Sequence, residues 1–129
     1  MMALLDTHVF LWWITDDPRL SEQAGNIISN SENRLFYSAA SGWETAIKAG
    51  LDKLILKEGN LHDFLYEQME INDIAPLPVQ MNHALHVHRL PLLHRDPFDR
   101  MIIAQAQVEN MTIVTQDRQI ARYYVETAW

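Results

Sequence analysis

MALLDTHVFLWWI, residues 2–14, is the stretch whose reading decides the fold. Met2 to Leu5 form a short, unbroken apolar run that ends in Asp6. Such a run suits a buried parallel strand, which is apolar on both faces. From Thr7 to Ile14 the apolar spacing changes to i, i+3, i+4, the period of a helix, until Asp16-Asp17-Pro18 breaks it. A strand that feeds straight into a helix opens a β-α unit, and the same alternation continues along the chain.

Ser21 is placed to cap a second helix striped by Ala24, Ile27 and Ile28. Arg34–Ser38 (RLFYS) reads as a strand, and Ala39–Ala49 as a helix ended by Gly50. Leu51–Leu56 fits either a short helix or an irregular turn. Asn60 or Leu61 to Ile71 is helical, with Leu61, Phe64, Leu65 and Met69 on one side. Asp73–Leu77 is a weak strand closed by Pro76 and Pro78. Gln80–Arg89 reads as helical. Pro97 opens a helix at its first turn, where a missing N–H costs nothing, and that helix runs to about Asn110. Thr112–Thr115 is a β-branched strand, Asp117–Tyr123 a short helix, and Val125 starts a last edge strand. The expected fold class is α/β: one domain, residues 1–129, with a central parallel sheet covered by helices on both faces.

The bulk composition excludes several classes. The 129 residues are 48% hydrophobic and 21% charged, values of an ordinary globular domain rather than a disordered chain. There is no Cys, so disulfides, thiolate zinc sites and cysteine nucleophiles are ruled out, in keeping with a cytoplasmic location. The N-terminus lacks the basic region of a signal peptide, and no apolar run is long enough to span a membrane. The formal net charge is -7, opposite in sign to the basic footprint of most nucleic-acid binders. An anionic substrate is compatible with that balance only if bound cations neutralise clustered carboxylates.

The acids fall where a parallel sheet builds its sites, outside the C-terminal ends of the strands. Asp6 follows the first strand, and Asp117 follows Ile113-Val114-Thr115 by two residues. Glu44 sits in the helix after Leu35–Ser38, and Asp99 in the first turn of the helix opened by Pro97. Singly, Asp6 and Asp117 could be helix caps and Asp99 a partner of the helix dipole. Glu44, within the apolar segment around Trp43 and Ile47, is a half-buried charge that needs a partner. Together, two such charges at ~4 Å repel by about 4 kcal/mol at an effective dielectric near 20. Several such pairs rival the whole stability of a domain, about 5–15 kcal/mol. A cation between the carboxylates, or shared protons, resolves this, and all-oxygen ligands suit Mg2+ or Mn2+.

Four segments carry a resemblance: Leu4–His8 (LLDTH), Ser38–Glu44 (SAASGWE), Arg95–Ala106 (RDPFDRMIIAQA) and Ile113–Asp117 (IVTQD). In order and spacing they resemble the PIN-domain family, and within it the VapC-type toxins that are paired with VapB-type antitoxins. The resemblance covers essentially the whole chain. It implies a three-layer α/β/α fold and an endoribonuclease dependent on Mg2+ or Mn2+. Asp6, Glu44, Asp99 and Asp117 match the family's acidic positions, with Asp6 and Asp99 the foremost metal ligands and Glu44 and Asp117 completing the pocket. It further implies an RNA substrate, a cognate antitoxin and homodimers. Thr7, Ser38 and Thr115 are placed to orient a carboxylate or a water. Asp96 is either an outer group of the site or a turn residue before Pro97. Arg95, Arg100, Arg118 and Lys48 are candidates for holding RNA phosphates. Gly42 departs from the pattern, where a larger apolar residue is expected, and puts the local helix packing in question. Two alternatives stay open: an RNA-processing nuclease that is not a toxin, and a silent binding module with the same fold.

Other features carry less. His83, His86 and His88 suggest zinc, but no acid or Cys completes a tetrahedral set. His8 and His94 are expected to form local hydrogen bonds. Trp12 and Trp13 point to different helix faces, one buried and one exposed, the latter as an interface. A dehalogenase-type phosphotransferase needs a second Asp where His8 stands, and a receiver domain needs a late Lys that is absent.

Overall fold

In the computed structural model, which describes residues 1–51 and 60–129, strands and helices alternate as expected. Among the described residues the strands are β1 (Met2–Leu5), β2 (Arg34–Ser38), β3 (Ile74–Leu77), β4 (Thr112–Val114) and β5 (Thr127–Ala128). The helices are α1 (Thr7–Ile14), α2 (Glu22–Ser29), α3 (Ala39–Gly50), α4 (Leu61–Ile71), α5 (Met81–His86), α6 (Pro97–Glu109) and α7 (Arg118–Ala121). The five strands form one sheet in the order β3-β2-β1-β4-β5, and each neighbouring pair is parallel. β1 sits in the middle, so Asp6 emerges at the centre of the sheet's C-terminal rim. Asp117 leaves the neighbouring β4 on the same rim.

The sheet is apolar on both sides, as an all-parallel sheet must be. Ala3, Leu5, Leu35, Tyr37, Ile74 and Val114 pack on one face, under residues of α1, α2 and α4. Leu4, Phe36, Leu77 and Ile113 point the other way, against α6 and α7. The period-2 alternation thus sends successive residues of each strand into two separate cores, giving three layers.

Some boundaries differ from those the sequence suggests. α3 runs through Gly50 rather than stopping before it, and no glycine among the described residues has positive φ. The left-handed stop belongs to Asn110 instead, at φ 56 after α6. Gln80–Arg89 is α-helical only from Met81 to His86, then tightens into a 3-10 turn over Val87–Arg89 ahead of Pro91. The last strand is Thr127–Ala128 rather than one begun at Val125. Beyond Leu51, the Leu51–Leu56 stretch lies outside the described residues.

Candidate active site

Asp6 occupies the N-cap position of α1, yet its side chain makes no capping hydrogen bond. Its Oδ2 instead accepts from Thr115 Oγ1 at 2.7 Å, across two strands and in a buried setting. Thr115 Oγ1 in turn accepts the Asp117 amide at 2.9 Å. One hydroxyl therefore ties the ends of β1 and β4 together and aims Asp6 away from its helix. Burial pushes the Asp6 carboxyl up, the Thr115 bond and His8 draw it down, and the charges of Asp117 and Glu44 raise it further.

Asp99 stands in the first turn of α6, where Asp96 caps the helix by accepting from the amides of Phe98 and Asp99 at 2.9 and 3.1 Å. Asp96 is thus the cap of α6, and its charge also acts on Asp99. Asp99 Oδ2 lies 3.1 Å from His94 Nε2. Its carboxyl is pushed up to about 7, chiefly by burial, against the His94 bond and with the help of Asp96, Asp6 and Asp117. Glu44 is buried on α3, and its partner is Lys48, one turn on, at 3.1 Å. Buried Tyr37 reports on the same neighbourhood: burial raises its hydroxyl most, and the Glu44 and Asp6 charges add to that. Asp117 does cap α7, accepting from the Gln119 amide at 2.8 Å, so its cap role and its place at the rim coexist.

Asp6 therefore lies within electrostatic reach of Glu44, Asp99 and Asp117, and Asp99 within reach of Asp117. Among the described residues, however, no three His, Asp or Glu side chains are gathered tightly enough to ligate one ion as they stand. Each acid instead holds its own partner: Thr115, Lys48, His94 and the Gln119 amide of α7. The donor chemistry is still the one a hard divalent cation requires: carboxylate oxygens only, with Asp6 and Glu44 buried and Asp99 and Asp117 half-buried. Beside it opens a cleft of about 490 Å³ lined by Asp6, His8, Trp12, Arg19, Asp117 and Arg118. A larger hollow of about 760 Å³ lies by Met1, Met2, Thr112 and Tyr124, where β1 and β4 begin. It is at the wrong end of a parallel sheet for a site of this kind.

The basic candidates divide. Arg95 and Arg118 are exposed. Arg100 is buried, and it donates to Pro91 O at 2.8 Å and to Tyr123 Oη at 3.1 Å, so it is not free for phosphate. Lys48 is committed to Glu44. Ser38 caps α3 and donates to Gln105 at 2.6 Å, with no hydrogen bond to any of the four acids. His8 has no side-chain hydrogen bond among the described residues and lies 6.0 Å from the Trp12 ring. The exposed tryptophan is Trp43, at 64%, and it meets Phe98 edge-on at 5.2 Å. Trp13 is half-buried and bonded to Asn72, and Trp12 is buried. His83 is fully buried between the Gln80 amide and Glu109, an acid distant in sequence, and His86 meets Gln107. Gln105, Tyr123 and Arg19 carry no mark in the sequence that places them at or behind this rim.

A central strand ending in an acid, with further acids on the same rim of a parallel sheet, defines a three-layer α/β domain with an acidic site. The chain belongs to the PIN-domain family, whose domain matches residues 3–126. It is 29% identical over 119 residues to ribonuclease VapC22 of Mycobacterium tuberculosis, covering 92% of this chain and 88% of that protein. Its fold matches VapBC2 of Rickettsia felis, solved bound to a promoter DNA fragment, at TM-score 0.69 and 17% identity, over 99% and 98% of the two chains. It also matches DNA-bound VapBC of Salmonella typhimurium at TM-score 0.67 and 18% identity, over 99% and 97%.

Proposed function

We propose that this chain is an endoribonuclease that hydrolyses RNA phosphodiester bonds with Mg2+ or Mn2+, and that it is the toxin of a pair neutralised by a VapB-type antitoxin. The observation that supports the reading is that Asp6, buried at the centre of the rim, lies within electrostatic reach of Glu44, Asp99 and Asp117. Family membership and the likeness to a ribonuclease VapC support it.

Asp6 and Asp99 would hold the cation, with Glu44 and Asp117 completing the set. When bound, a divalent cation supplies a more acidic water and offsets charge building on the phosphoryl oxygens. Thr115 keeps Asp6 turned toward the rim, and Asp96 keeps the first turn of α6, and Asp99 with it, in place. A carboxylate of the set takes the attacking water's proton. Arg118, on the cleft wall, is placed to receive a substrate phosphate. A basic side chain from an antitoxin segment, seated among the carboxylates, would displace the cation and silence the enzyme. Homodimer formation, implied by the resemblance, belongs to the same proposal and is read by sedimentation.

The test is cleavage of single-stranded RNA with Mn2+, with chelator, and by Asp6→Asn and Asp99→Asn. Each variant, and the chelator, should lower the rate by on the order of 100-fold or more. Cleavage that persists in chelator overturns the metal-dependent reading. Growth arrest on expression, relieved by the neighbouring gene product, tests the toxin role.

A further inference from the structure

Behind Asp99 lies a chain of hydrogen bonds whose directions are fixed. Tyr123 is buried, and its Oη receives two donors, Arg100 Nη1 at 3.1 Å and the His94 amide at 3.3 Å. A phenol oxygen has two lone pairs and one proton. With both pairs taken, the proton is left for the remaining neighbour, His94 Nδ1, at 2.7 Å. Nδ1 therefore accepts, and the neutral ring carries its hydrogen on Nε2, which stands 3.1 Å from Asp99 Oδ2. Arg100 cannot turn away, because the second hydrogen of Nη1 is held by Pro91 O at 2.8 Å and the residue is buried.

We infer that His94 is a positioning residue for Asp99, its hydrogen fixed on Nε2 by Tyr123 and Arg100 so that the ring only donates to that carboxylate. Asp99 Oδ2 is thereby oriented, while Oδ1 has no hydrogen-bond partner among the described residues. The imidazole is also kept from serving as a ligand itself, since its Nδ1 is spent on Tyr123 and its Nε2 is protonated. Ligating carboxylates elsewhere depend on such outer partners for about 10–100-fold in metal affinity.

The inference rests on Asp99 being a metal ligand, and the test separates the two. In metal-free protein near about pH 8, where the free imidazole is neutral, ring-nitrogen NMR should show His94 protonated at Nε2. Tyr123→Phe should turn that signal into a mixture of tautomers. Calorimetric titration with Mn2+ should show about 10–100-fold weaker binding in His94→Ala and substantial recovery in His94→Gln, whose amide can still donate. A purely structural role would lower the melting temperature of His94→Ala and leave Mn2+ affinity unchanged, which overturns the inference, as does a ring protonated at Nδ1. If the wild-type protein gives no Mn2+ binding, the proposed function fails, while the tautomer still decides whether the relay exists.

Discussion

Asp6 shows the conflict between stability and chemistry at a single residue. It is 6% exposed, with Thr115 as its side-chain partner, and its carboxyl is pushed up because burial disfavours the charge. Asp6→Asn keeps an oxygen for the Thr115 hydroxyl and removes that charge. It should stabilise the metal-free protein by on the order of 1 kcal/mol while abolishing cleavage, the trade-off expected of a functional site. Thermal melts of both forms in chelator check this, and a less stable variant contradicts it. Asp99 gives a pH dependence of known sign. Its carboxyl rises from 3.8 to about 7 on folding. Between those values the folded protein keeps a proton that the unfolded chain has released, so stability falls as pH rises through the window. The stabilisation is fully present below about 4 and gone above about 7. Melting temperatures of the metal-free protein should decline across that range, and Asp99→Asn should flatten the decline. A curve that rises steadily to neutrality in both proteins sinks this assignment. Of these residue-level facts, the acids were legible in sequence because they follow strands and open helices. Their partners were not: Thr115 is one strand away from Asp6, and Tyr123, just after α7, reaches His94 across 29 residues of sequence.

Elements were read best where local chemistry sets them. Ser21 and Asp117 stand as caps, and Pro97 opens α6, because capping depends on residues within one turn. Helix ends were read worse, since Gly50 permits a left-handed stop without requiring one, whereas Asn110 adopts it. Zinc-like histidines dissolved into packing for the same reason: Glu109 and Gln107 arrive from α6, invisible to spacing within α5. Gly42 is the clearest test at this scale. It lies inside α3, and a methyl group added there meets nothing within 4 Å. The helix therefore forms without the larger side chain that the family pattern suggests, at the entropic cost of glycine. Gly42→Ala should stabilise the protein by about 0.5–1 kcal/mol, with cleavage little changed. Denaturant midpoints measure the first and RNA cleavage the second. A loss of stability would mean that this face of α3 is covered in the working protein, with Trp43 beside it the first residue to examine.

At the scale of the whole molecule the charge balance becomes an argument about binding. A net charge of -7 repels RNA at long range, and the acidic rim repels it most where cleavage is proposed. Exposed Arg95 and Arg118 and the Arg19 wall of the cleft supply few positive charges against that field. Arg19 is moreover paired with Asp17 at 2.8 Å. An ordinary RNA binder gains affinity by releasing counterions from phosphates with Lys and Arg. This chain has little means to do so, and bound cations must bridge its carboxylates to the substrate. Binding of a non-cleavable RNA should therefore require divalent metal. Fluorescence anisotropy should show affinity falling by about tenfold or more, at least 1.4 kcal/mol, when Mn2+ is replaced by chelator at matched ionic strength. Asp6→Asn should behave differently from wild type: with one repelling charge gone, it should lose less affinity on chelation even though it cannot cleave. Equal binding by wild type with and without Mn2+ would place the RNA on a surface away from the four carboxylates, and the acidic rim could no longer be what draws the substrate in.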